Sequence, residues 1–273
     1  MADGALSELS GRGLRPLDPA RVAAVRETLD ATADFAEDAR RTVADLVPRF
    51  SDLIRDGDLA PCRDALADAR ARLETLSPAA LEPRGWFDSR GKRLKAFRRA
   101  FDEVRTVLTA TAADLSRRRE EAARRDGGLT TLWNQTRDAV VTLDVHVAAA
   151  VAWLGDQGSD DPRLSAFRRR VQELDALLLS AVRRLPLALA AQNADLGARD
   201  RLDRCADALS TWRADWSRAL GVDGRKPKKV TPSQSALADA RQALADVIAA
   251  ADRELASARA RRAEIVGRLD RLG

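Results

Sequence analysis

The chain has 273 residues, with 47 lysines and arginines against 42 aspartates and glutamates, one histidine, two cysteines, no tyrosine and 4% aromatic residues. That length can bury a substantial core as one large domain or two small ones, while sparse β-branched residues and the lack of any period-two alternation exclude a strand-rich fold. Cys62 and Cys205 are too few and too far apart for a disulfide framework. With no apolar leader at the N-terminus and no apolar run approaching a membrane span, the expected setting is soluble and cytoplasmic.

Residues 1–17 are Gly/Ser-rich and aperiodic and read as a disordered tail. Asp18-Pro19 then offers an N-cap acceptor followed by proline at the first helical position. Apolar residues recur every three or four positions at Val22, Val25, Leu29, Thr32, Ala36, Ala39, Val43, Leu46, Phe50 and Leu53. This spacing predicts one helix to about Arg55, kinked at Pro48 and closed by Asp56-Gly57-Asp58. A second helix carries Leu59, Cys62, Leu66, Ala69, Leu73 and Leu76, and Ser77-Pro78 begins one further turn before Pro83.

After an irregular stretch from Pro83 to Gly91, a long helix carries Leu94, Phe97, Phe101, Val104, Leu108, Ala112 and Leu115. The pattern resumes beyond Gly127-Gly128 at Leu129, Leu132, Thr136, Val140, Leu143, Val147, Ala150 and Leu154, so a single helix kinked at the glycine pair is expected. A loop from Gly155 to Asp161 leads into Leu164, Phe167, Val171, Leu174, Leu178, Ala181, Leu185 and Leu189, bent at Pro186. The same helix runs on through Leu202, Cys205, Leu209, Trp212, Trp216 and Leu220. Residues 221–231 read as a basic flexible loop. Thr231-Pro232-Ser233-Gln234 has capping-box spacing for a last helix over 232–273, with Leu237, Ala240, Leu244, Val247, Ala251, Leu255, Ala258, then Ile265, Leu269 and Leu272. The expected fold is all-α, an elongated bundle of long helices with coiled-coil-like packing, with residues 18–220 as the bundle proper.

Charge is concentrated. Between Arg84 and Arg99 stand Arg84, Arg90, Lys92, Arg93, Lys95, Arg98 and Arg99 against Asp88 alone, a local +6 in a chain of +5. The five lysines all lie here or in the Arg225–Lys229 loop, which holds Arg225, Lys226, Lys228 and Lys229. The excess of arginine over lysine, 42 to 5, is what a GC-rich genome produces and carries no functional weight by itself. Basic side chains interleaved with Trp86, Phe87, Phe97 and Phe101 suit an anionic membrane surface or, second, nucleic acid. The plainer reading makes Phe97 and Phe101 core and the cations a solvated face.

Groups able to do chemistry are few. His146 lies beside the Leu143–Val147–Ala150 stripe and has no second histidine with which to build a zinc site. Cys62 and Cys205 fall on apolar stripes, where cysteine behaves as a small buried hydrophobe. Asp56 with Asp58, Asp160-Asp161, and Asp223 could ligate a hard cation, but each lies in a loop where aspartate more often caps or turns the chain. Trp212 and Trp216 read as core or groove lining, and the runs Arg117–Arg119 and Arg168–Arg170 as solvated faces. Neither a phosphate-binding loop after a strand nor a hydrolytic triad can be assembled. No enzyme activity, cofactor or metal is expected.

Four stretches, in order, resemble the toxic-anion resistance family, the TelA-like tellurite-resistance proteins. FAEDARRTVADLVPRFSDLIRDGDLAPCRDALADARARLETLSP, Phe35 to Pro78, is similar to the family's opening helix pair, and GWFDSRGKRLKAFRRAF to its basic linker. LDVHVAAAVAWL, Leu143 to Leu154, resembles the aromatic-Ile-Ala-Ala-Ala segment, with His146 at the aromatic position. LALAAQNADLGARDRL, Leu187 to Leu202, resembles the glutamine/asparagine-containing stretch of the next long helix. The resemblance implies a cytoplasmic bacterial protein tied to tellurite and envelope stress, with no catalytic residues to carry over. The expected role is a non-enzymatic scaffold or adaptor that contacts other proteins of a stress system through its helices and is compatible with a homo-oligomer. The alternatives are a membrane or nucleic-acid binder using the basic residues named above and, third, a thiol-dependent oxyanion reductase.

Overall fold

In the computed structural model, which describes residues 16–57, 60–83, 89–157, 164–222 and 229–272, the chain is an all-α helical bundle, with no strand among the described residues. The helices are α1 (Pro19–Glu27), α2 (Glu37–Arg55), α3 (Ala60–Thr75), α4 (Arg90–Asp156), α5 (Ser165–Leu220) and α6 (Gln234–Asp270), with a 3₁₀ turn at Pro78–Leu81. Two compact units form: one from residues 1–57, 125–193 and 262–273, the other from 58–124 and 194–261. Helices α4, α5 and α6 each contribute to both.

In the first unit, α1 starts as the sequence predicts, Asp18 Oδ1 accepting the Ala20 N–H at 3.0 Å. The single helix expected from Asp18 to Arg55 is not formed. It breaks after Glu27, and Ala36 adopts a left-handed φ of 55° just before α2. Across this break the stripe consists of Leu29, which is only partly buried, and the small Thr32 and Ala36. Phe35, off that stripe, is instead drawn inward, edge-on to His146 at 5.9 Å and to Phe167 at 5.3 Å. One aromatic contributes more apolar area than the alanine–threonine stripe. Helix α2 continues through Pro48 and buries Val43, Leu46, Phe50 and Ile54; its stripe ends on Ile54 rather than Leu53. The turn after it needs Gly57, whose φ is +126°.

In the second unit, α3 buries Cys62, Leu66, Ala69 and Leu73 against α4, α5 and α6 residues of one core. At its centre is a four-ring cluster. Phe97 and Phe101 of α4 stack on Trp216 of α5, each at 5.9 Å, and Trp212 packs 4.6 Å from Trp216. Helix α5 ends in a Schellman motif, with Gly221 at φ +58° and Val222 N–H donating to Ser217 O. The start of α6 differs from the capping box expected at Thr231: Ser233 Oγ accepts the Ala236 N–H at 3.3 Å, and Thr231 Oγ1 instead accepts from Arg90.

Helix α4 is continuous through Gly127-Gly128. It also contains an 18-residue window long and apolar enough to cross a membrane by length and composition alone, which departs from the sequence expectation. In the first unit the same helix buries Val140, Leu143, Val145 and Val147, so a bundle core accounts for those apolar side chains. Most of residues 1–17, the loop residues Asp160 and Asp161, and Asp58 and Asp223 lie outside the described residues.

Glycine at 127 is a weak point in α4. A Cβ built there meets nothing within 4 Å, whereas at Gly128 it would crowd Leu53 Cδ2 at 3.2 Å. Gly127→Ala is expected to raise stability by about 0.5–1 kcal/mol, read from urea unfolding. A destabilisation would contradict a continuous helix at this point.

Candidate functional site

The basic segment at the start of α4 divides in two on folding. Arg90, Arg93 and Arg98 turn toward the second unit's own backbone. Arg90 donates to Val230 O and Thr231 Oγ1, Arg93 Nε to Leu81 O at 3.2 Å, and Arg98 Nε to Leu220 O at 2.7 Å. Lys92, Lys95 and Arg99 remain exposed, as does Lys229 beside Val230. Phe97 and Phe101 belong to the buried ring cluster. Arg84, Trp86, Phe87, Arg225, Lys226 and Lys228 lie outside the described residues.

What Arg93 and Arg98 do is general in this fold. The last four carbonyls of a helix have no partner within it, and its C-terminus carries partial negative charge. Arg241 Nη1 donates to Leu76 O at the end of α3, at 3.0 Å. Arg262 Nη2 donates to Ile54 O at 2.8 Å and to Asp56 O at the end of α2. Arg184 Nη2 reaches Leu272 O at the end of α6, at 3.2 Å. Arg184 and Arg262 are each only 7% exposed. Burial, and secondly the nearby Arg55, pull the Arg184 guanidinium below the ordinary arginine value. A charged fork on a carbonyl contributes about 1.5–3 kcal/mol, and its reach across a helix packing distance is something a lysine cannot reproduce in the same geometry.

The sequence reading did not find these arginines. Arg262 carries a visible signal: the α6 stripe makes a seven-residue step from Ala258 to Ile265, and Arg262 fills the gap at spacings of four and three. The runs read as solvated faces are also partly structural. Arg119 Nη1 pairs with Asp203 of α5 at 2.8 Å, and Arg170 binds Phe35 O at 3.1 Å and Glu37 at 2.5 Å. Arg117 and Arg118 do pair locally, with Asp114.

Glu37 is the hub of an ion network, accepting from Arg40, Arg41 and Arg170. These guanidinium groups, Arg40 first and then Arg170, hold its carboxyl well below the usual carboxylate range.

The histidine, the two cysteines and the tryptophan pair are placed in packing. His146 is half-buried, its Nδ1 2.8 Å from Thr142 O and its ring against Phe35. Cys62 and Cys205 are unbridged and buried in the second unit's core. Burial pushes the Cys205 thiol up to about 12, the opposite of what a reactive thiolate requires. Trp212 and Trp216 are core. A cleft of about 280 Å³ between α3 and α6 holds Arg63 and Asp252, which neutralise each other at 2.8 Å over a floor of Leu66 and Ile248. Among the described residues no group of three or more His, Cys, Asp or Glu side chains is placed to hold a metal ion. Comparison with models of known families, with curated proteins and with solved structures finds no match to this chain.

Two outcomes follow. Arg262→Met, which leaves the carbonyls of Ile54 and Asp56 unsatisfied, is expected to lower stability by about 2–3 kcal/mol, with Arg262→Lys recovering less than half; equal stability of the lysine variant and the wild type would contradict the cap. Because the folded-state pKa of Glu37 is depressed, its contribution is present above the ordinary value of about 4.3 and lost as pH falls below it. The Tm deficit of Glu37→Gln is therefore expected at about pH 7 and should shrink as pH drops toward about 3; a deficit constant across that range would contradict the network.

Proposed function

We propose that this chain is a non-enzymatic scaffold or adaptor of the toxic-anion resistance, TelA-like type, working in the cytoplasm through helix-to-helix contacts with other proteins of a stress system. One observation carries the reading: both thiols and the histidine are packing groups, and the Cys205 thiol is held far from its reactive form. A core built this way keeps both thiols from acting as nucleophiles and leaves exposed helix faces, which suits recognition rather than turnover.

The segments that resemble the family fall on consecutive elements, which supports the same reading. The first spans α2, the Gly57 turn and α3; the second leads into α4; the third lies in α4 and the fourth in α5. Within the fourth, Gln192 Nε2 donates to Asp126 O at 3.1 Å and to Thr130 Oγ1 at 2.9 Å, fastening α5 to α4 beside the glycine pair. His146, standing at the family's aromatic position, packs as an aromatic against Phe35.

The test separates an adaptor from a thiol-dependent oxyanion reductase. In a strain lacking the protein, Cys62→Ala, Cys205→Ala is expected to restore tellurite tolerance as fully as the wild type. Cross-linking in tellurite-stressed cells is expected to give a reproducible adduct with another protein. Tolerance lost in the cysteine variant at unchanged helicity, or no adduct under any stress, would overturn the reading.

A further inference from the structure

The first turns of α4 hold cations where local energetics disfavour them. A helix N-terminus carries partial positive charge, and α4 has no acidic residue in its first turn. Arg90, Arg93 and Arg98 are explained by the carbonyls they hold. Lys92, Lys95 and Arg99 are not. Spaced by three and four residues, they form one exposed row in which each cation repels the next. No hydrogen bond or ion pair joins their side chains to any described residue. Several exposed arginines elsewhere pair with a carboxylate one turn away, as in Arg41–Glu37, Arg70–Glu74, Arg204–Asp200 and Arg218–Asp215, whereas no carboxylate stands between the members of this row. A local conflict left without an internal remedy marks a surface that something outside the fold completes.

The residue types narrow what that is. Arginine performs the structural capping in this chain, and lysine stands only in this row and in the Lys226–Lys229 segment. Lys229 is exposed next to Val230, whose carbonyl Arg90 holds, so it sits beside the first turn of α4. Lysine is a mobile, strongly hydrated point charge that tolerates many partner geometries, unlike the planar guanidinium fork. The segment's described aromatics, Phe97 and Phe101, are buried against Trp216 and cannot stack on bases. What remains among the described residues is a contact through charge alone, which suits fluid anionic head groups better than a nucleic acid strand that is gripped by stacking.

We propose that Lys92, Lys95 and Arg99, joined by Lys229, form a peripheral docking surface for anionic phospholipid membrane. The inference stands apart from the adaptor reading, since it concerns where the protein rests and not which proteins it contacts.

The full-length chain is tested by co-sedimentation with vesicles of phosphatidylcholine, alone or with roughly one third phosphatidylserine. Wild type is expected on the anionic vesicles only and to be released at high salt. Each cation contributes about fivefold, so Lys92→Gln, Lys95→Gln, Arg99→Gln should bind about 100-fold more weakly. Lys92→Arg, Lys95→Arg, Arg99→Lys should still bind. Equal or absent retention on the two vesicle types, or full retention of the glutamine variant, overturns the proposal. So does tighter binding of wild type to DNA than to vesicles when the same variant abolishes it, which assigns the row to nucleic acid. Should the triple variant lose helicity, wild-type salt release alone decides, and retention that persists at high salt overturns the surface.

Discussion

Closing a helix C-terminus inside a bundle is the constraint on which this structure turns. The terminal carbonyls cannot be left buried without partners, and α2, α3, α5 and α6 all end near packed neighbours. In each case an arginine from another helix supplies the donors: Arg262, Arg241, Arg98 and Arg184. The guanidinium brings a positive charge to the negative end of the macrodipole and several N–H groups to one place. A composition that seemed to carry no meaning beyond codon usage is put to structural use at these points. The same contacts fix which turn of one helix lies beside which end of another, something a uniform leucine–alanine stripe leaves ambiguous.

Much of the fold was legible because spacing by three and four survives in every long helix, and α3 to α6 begin and end close to where their stripes do. Legibility failed where the stripe was made of weak side chains. Thr32 and Ala36 kept the period across residues 28–36, but the burial of Phe35 against His146 and Phe167 outweighs them, and the chain breaks there. It failed by one position where two apolar residues are adjacent, as at Leu53 and Ile54 or Val247 and Ile248, since either can face the core. The inward-facing arginines were the largest miss. Whether Arg98 points to solvent or to Leu220 O depends on where α5 ends, and that is a tertiary fact absent from the local pattern around Arg98.

The candidate site shows the same logic. Read as sequence, the Arg84–Arg99 segment is a single basic run with aromatics interleaved. Folding removes Phe97 and Phe101 to the ring cluster and Arg90, Arg93 and Arg98 to backbone carbonyls, and leaves Lys92, Lys95 and Arg99 as the exposed remainder. Buried thiols, a histidine held by Thr142 O and Phe35, and a short exposed row of cations are the observations from which an adaptor role and a membrane contact are proposed.

The central claim is that specific guanidinium groups are held on helix-end carbonyls, and nitrogen-15 NMR of arginine Nε–H groups addresses it most directly. Arg93 and Arg98, whose Nε donates to Leu81 O and Leu220 O at such ends, and Arg170, whose Nε donates to Phe35 O in the turn before α2, should give resolved resonances with slow solvent exchange, while exposed Arg99 exchanges rapidly. Exchange at all four positions as fast as in free arginine would contradict the account.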